Sequence, residues 1–121
     1  MQNKPFRLGP VTIAAAVANV LNPGTVTGGV NSGTGANLYI ILTHIRVVNR
    51  TAVADPVSLF IGATGAGAAG TEFAFSAKPV PANDAVDWYG RARLDVADFL
   101  TAEAGSADTL TIEAEGEIGI V

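Results

Sequence analysis

Asn37–Asn49 reads NLYIILTHIRVVN, and the fold class turns on this stretch. After Asn37 it holds Ile, Leu, Val, Tyr and Thr at strand density, with no Gly and no Pro. Apolar residues occupy both parities: Leu38, Ile40 and Leu42 on one, Tyr39, Ile41, Ile45 and Val47 on the other. A strand that is apolar on both faces is expected to be covered on both faces. His44 and Arg46 then take over the first parity, so that face is expected to turn polar in the second half. With no convincing long helix elsewhere, the cover must come from a second sheet or a neighbouring subunit. The expectation is an all-β protein built for contact.

The flanks support that class. Upstream, Val11, Ile13, Ala15 and Val17 alternate with smaller residues, a weak strand over 11–18 that Gly9-Pro10 introduces. Asn22–Ala36, NPGTVTGGVNSGTGA, reads as one long Gly-rich loop, of a length that is usually functional or disordered. Downstream, Arg50–Asp55 turns, and Val57, Leu59 and Ile61 line one face of the next strand. Gly62–Gly70 is a flexible connection, and Thr71–Val80 reads as a strand with Phe73, Phe75 and Ala77 inward. Ala85–Leu94 carries Val86 and Trp88 on one face and Asp87, Tyr89, Arg91 and Arg93 on the other. Leu94–Ala104 fits a short helical turn as well as a strand end, and Asp108–Val121 reads as two strands bent at Gly116. Seven or eight short strands separated by turn signals make a small β-sandwich, jelly-roll-like, or a small barrel.

At 121 residues the chain is one domain. The expected division is an N-terminal arm over 1–9 and a single β-sandwich over 10–121. Lys4 and Arg7 ahead of Val11–Ala18 mimic the start of a signal peptide, but the run is short and Asn19 interrupts it. A polar arm, Met1–Leu8, is the expected reading. Charged residues are 15% of the chain, below the ~25% of an ordinary soluble domain. Such a chain leaves much neutral surface of the kind subunit interfaces use. A net charge of −4 argues against nucleic acid as a partner, which would need a basic face. No stretch approaches the ~18 apolar residues of a membrane helix, so no membrane partner is expected. There is no Cys, hence no disulfide and no thiolate metal site.

Motifs for chemistry are weak. Gly65–Gly70 matches GxGxxG, but a strand pattern follows it where a dinucleotide site needs a helix N-terminus. His44 is the only His, which excludes a two-His metal site within one chain. No Ser lies in a GxSxG elbow. Asp84, Asp87, Asp95 and Asp98 are the densest carboxylates; Asp84 and Asp98 are expected to cap turns. Neither catalysis nor a cofactor is expected. Glu113, Glu115 and Glu117 form an acidic row and Arg91 and Arg93 a basic one. The two rows are expected to pair across neighbouring strands or between subunits. Asn49-Arg50-Thr51 matches a glycosylation sequon, with no function attached to it.

Leu38–Ile61 resembles a pattern in small structural proteins of tailed bacteriophages. An apolar strand ends in Ile-x-Val-x-Asn (Ile45–Asn49), a Thr-containing turn follows, and a Val-x-Leu-x-Ile strand (Val57–Ile61) comes next. Val80-Pro81-Ala82-Asn83, Trp88-Tyr89-Gly90, Leu110-Thr111-Ile112 and Gly116-Glu117 also fit. Within that group the chain is most similar to capsid decoration, or cement, proteins. The resemblance implies a non-enzymatic virion protein on the outer capsid surface, made in the bacterial cytoplasm. It also implies a homo-oligomer, a trimer foremost, that binds the major capsid protein and braces neighbouring capsomers. The candidate contacts are Lys4, Phe6, Arg7 and Leu8 of the arm, with His44, Arg46, Arg91 and Arg93. A tail-tube or fibre subunit is one alternative; a carbohydrate-binding sandwich using Trp88 and Tyr89 is another.

Overall fold

The structure, a computed structural model, describes residues 4–22, 38–62, 71–95 and 98–120. Of the Gly-rich stretches expected over Asn22–Ala36 and Gly62–Gly70, residues 23–36 and 63–70 lie outside the described residues, and the GxGxxG match lies among them. The strands are β1 (Lys4–Thr12), β2 (Ala18–Leu21), β3 (Leu38–Asn49), β4 (Asp55–Gly62), β5 (Lys78–Val80), β6 (Ala85–Leu94), β7 (Phe99–Ala104) and β8 (Leu110–Ile120). Among the described residues there is no helix.

Two four-stranded antiparallel sheets have the orders β1-β8-β3-β6 and β2-β7-β4-β5. The pairings are nested: β1 with β8, β2 with β7, β3 with β6, β4 with β5. Such a chain is one long hairpin, and rolling it brings β3 onto β8 and β4 onto β7. This is the architecture of an eight-stranded jelly roll. Ile40, Leu42, Ile45, Val47, Leu110 and Ile112 of the first sheet meet Val57, Leu59, Leu100 and Ala102 of the second in one buried cluster. Phe73 closes one side of the sandwich by standing edge-on to Trp88, with ring centroids 4.8 Å apart.

The opening strand is covered on one face by the second sheet, and its two apolar parities have another cause. The pairing register shifts between Leu42 and His44 against both neighbours. Before the shift the even residues, Ile40 and Leu42, are buried; after it the odd ones, Ile45 and Val47, are. β8 keeps its parity throughout, with Leu110, Ile112, Ala114 and Ile118 inward. Against β8, Leu42↔Gly116 is followed by His44↔Glu115, so a bulge at Thr43 gives β3 one extra residue. Against β6, Ala92 is followed by Tyr89, so there the extra residue lies on β6. Across these shifts the inward face of β3 moves from even to odd. Opposite the bulge lies Gly116, where a Cβ would collide with the Ile41 carbonyl oxygen. Gly116 thus admits the bulge within one continuous β8, where the sequence suggested a bend between two strands.

Further expectations change. Residues 4–9, expected as an arm, form most of β1, paired with β8 from Lys4↔Ile118 to Leu8↔Ala114. Gly9-Pro10 does not begin the strand but interrupts its register. FLTAEA, ambiguous between helix and strand, is β7, and Leu100, Ala102 and Ala104 face the core. Residues 71–77 run beside β4 through irregular bonds (Phe73 N to Leu59 O, Leu59 N to Phe75 O), and Ala74 and Ala77 sit at positive φ. Regular pairing begins only at β5, so Ala77 is exposed instead of inward.

Two buried polar side chains hold the corners. Asn49, at the end of β3, donates to Val53 O and Val80 O and accepts from Thr51 N and Thr51 Oγ1. The sequon asparagine is thus a buried corner bracket. Asp55, at the start of β4, accepts from Ser106 N and Thr109 Oγ1, tying the β7–β8 turn to the second sheet.

Candidate functional site: the outer face of the first sheet

Side chains that point away from the core on β1, β8, β3 and β6 form a broad polar face. Register places Arg7, Glu115, His44 and Tyr89 in one cross-strand row. Pro5, Glu117, Ile41 and Arg93 make the row on one side, and Glu113, Arg46 and Asp87 the row on the other. Strand alternation alone would not align them. Without the bulge, His44 and Arg46 would share the parity of Ile40 and Leu42 and point into the core.

At the centre, Asp87 Oδ1 accepts from His44 Nε2 at 2.8 Å and from Arg46 Nε at 2.8 Å. The second ring nitrogen of His44 faces Glu115 Oε1 at 3.4 Å. His44 therefore bridges β6 and β8 across β3. The hydrogen bond from Arg46, then that from His44, holds the Asp87 carboxyl below the usual carboxylate range. The same bond raises the Arg46 guanidinium. Tyr89 stacks on His44 with centroids 4.6 Å apart and planes 10° from parallel, while remaining 70% exposed. Arg93 donates to Asp95 at 2.8 Å and lies 4.4 Å over the Tyr39 ring.

The expected contact residues divide into two groups. His44, Arg46, Arg91 and Arg93 lie on this face, and Arg7 joins them from β1. Lys4 is placed by register at the start of β1. Phe6 and Leu8, expected as anchors for a neighbour, instead pack partly buried against the chain's own core. Among the described residues no ion pair joins Glu113 or Glu115 to Arg91 or Arg93, since β3 separates β8 from β6. Arg46 and His44 stand between them and take up Asp87 and Glu115. Sequence alternation had assigned Asp87 and Tyr89 to one face, but their meeting with His44 needs a non-local register.

The carboxylate-rich segment forms no shared centre. Asp84 Oδ1 caps its own turn at Ala85 N, and Asp98 Oδ2 accepts from Asp95 N. Among the described residues no group of three or more His, Asp or Glu is placed to hold a metal ion. An open pocket of about 270 Å³ lies over the second sheet between Pro56, Ser58, Ala77 and Glu103. There Ser58 Oγ accepts from Ala77 N. Trp88 packs against the core while Tyr89 points outward, so the two cannot stack on one sugar.

No protein-family model matches the chain, and no curated protein matches it by sequence.

Proposed function

We propose that this chain is a non-catalytic virion protein that decorates the outside of a tailed-phage capsid and braces neighbouring capsomers. The observation that carries the reading is the outer face of the first sheet, a broad surface of mixed charge at whose centre His44, Arg46 and Asp87 hold one another. Four cations (Arg7, Arg46, Arg91, Arg93) face four anions (Asp87, Glu113, Glu115, Glu117) over four strands. A face so balanced suits a protein surface of mixed charge better than the uniform charge of nucleic acid or lipid. Four strands at ~4.8 Å spacing and ten residues at ~3.4 Å rise give about 650 Å². That is close to the ~800 Å² each partner contributes to a specific interface. Arg and Tyr are also the residues that interfaces concentrate.

The resemblance over Leu38–Ile61 selects the kind of assembly. The jelly roll is compatible with it, since viral shells and lectins both use that architecture, although fold alone does not assign function. The proposed mechanism is linkage. A protein that binds only the assembled lattice, across a joint between capsomers, favours that lattice by mass action. A trimer at a local three-fold position would present three such faces.

Co-sedimentation with assembled shells of the cognate major capsid protein tests the reading. Saturable binding at a fixed ratio is expected, together with loss of binding in the double variant Arg91→Glu, Arg93→Glu. Failure of the wild-type chain to sediment with shells would overturn it.

A further inference from the structure

Tyr89 is the most exposed aromatic residue described, yet its ring is not loose. It is held parallel to His44, whose Nε2 is bonded to Asp87 and whose Nδ1 faces Glu115. One ring face is covered by the imidazole. The other looks past β6, which has no strand beside it among the described residues. Ordering a surface tyrosine costs side-chain entropy, and here that ordering precedes any ligand.

Asp87 flanks Tyr89 on the same face, about 6.8 Å away by strand geometry, and the exposed Arg91 follows on the other side, at the register irregularity between Tyr89 and Ala92. Both donors to Asp87 converge on Oδ1. Its Oδ2 has no hydrogen-bond donor among the described residues, and the side chain is 27% exposed. The Arg91 guanidinium likewise has no partner among the described residues. The site is therefore a flat, pre-oriented aromatic face with an open acceptor on one side and an open donor on the other.

We propose that Tyr89, Asp87 and Arg91 form a subsite for a neutral pyranoside. The apolar C–H face of the sugar lies on the exposed ring of Tyr89. One hydroxyl donates to Asp87 Oδ2, and another accepts from Arg91. The inference differs from the paired-aromatic expectation because Trp88 takes no part. Because the site is a platform and not a cleft, single-site affinity is on the order of millimolar. The subsite lies on the face proposed for shell contact, so a shell and a glycoside would compete for it. The subsite does not rest on the capsid reading, since it needs only the isolated chain.

The test is a ¹H–¹⁵N NMR titration of the isolated chain with the methyl glycosides of glucose, galactose, mannose and N-acetylglucosamine. Cyclohexanol serves as an apolar control. At least one glycoside is expected to give saturable shifts centred on Asp87, Tyr89 and Arg91. Tyr89→Ala should weaken that response at least tenfold while leaving the rest of the spectrum folded, and Tyr89→Phe should keep it. No saturable response to any glycoside would overturn the proposal, as would a response that survives in Tyr89→Ala or is matched by cyclohexanol.

Discussion

Asn49→Ala probes the corner on which the β3–β4 crossing between sheets depends. The side chain is 1% exposed and makes four hydrogen bonds of 2.8–3.0 Å. A typical hydrogen bond contributes ~1 kcal/mol net, and orphaning a buried partner costs ~1–3 kcal/mol. Alanine leaves the buried Val80 carbonyl without this donor, while Val53 and Thr51 are exposed enough to regain water. The expected loss is thus about 2–4 kcal/mol, below the sum over four bonds. For a domain of this size that corresponds to a fall in Tm of roughly 8–15 °C. Urea unfolding followed by Trp88 fluorescence measures it, with the slope against denaturant unchanged if the folded state is otherwise intact. Asn49→Asp sharpens the test. It keeps the acceptor oxygen but turns a second, charged oxygen towards two carbonyls. Burial and those carbonyls raise its folded pKa above the unfolded ~3.9. The variant should be least stable at neutral pH and recover as pH falls through that raised value. Asn49→Ala within about 0.5 kcal/mol of the wild type would refute the buried bracket.

Other substitutions address the remaining structure. Gly116→Ala forces a Cβ against the backbone of the β3 bulge and should cost more than ~2 kcal/mol. Gly90→Ala meets the Trp88 ring, a side chain and not backbone, and should cost less, by the same urea assay. Arg46→Met should move the Asp87 titration up towards the ordinary carboxylate value, read by carboxyl ¹³C shifts; no movement would contradict the pairing. Since that folded pKa is depressed, Asp87's contribution to stability is present above ~3.9 and lost as pH falls through the lower folded value. Deleting residues 1–8 removes the β1 segment paired with Ala114–Ile118 and the partly buried Phe6 and Leu8. It should lower Tm measurably, so point changes at Arg7 are the cleaner probe of contact.

β4 and β6 were legible because neither alternates against its neighbours' pattern: Val57 and Leu59 fall inward, and Asp87, Tyr89, Arg91 and Arg93 outward, as their spacing requires. β3 was legible in extent but not in orientation. A one-residue bulge converts single-face alternation into the appearance of a strand apolar on both sides, and only the partner register reveals it. β1 was hidden by Pro5, Gly9 and Pro10, residues that mark loops but are also tolerated on the edge strand of a sheet. β7 was hidden because Ala, Leu and Glu favour helices, a preference that burial of Leu100, Ala102 and Ala104 overrides. The Asp87–His44–Glu115 bridge joins residues 43 and 71 positions apart. No local pattern encodes a contact of that separation, so the members of the face were legible and their grouping was not.

The central claim is that the chain strengthens an assembled shell by binding across its joints. Thermal disassembly of shells, followed by light scattering with and without saturating chain, tests it most directly. The account expects a higher disassembly temperature that rises with chain concentration, and no such rise with the Arg91→Glu, Arg93→Glu variant. An unchanged disassembly temperature at saturating wild-type chain would contradict it.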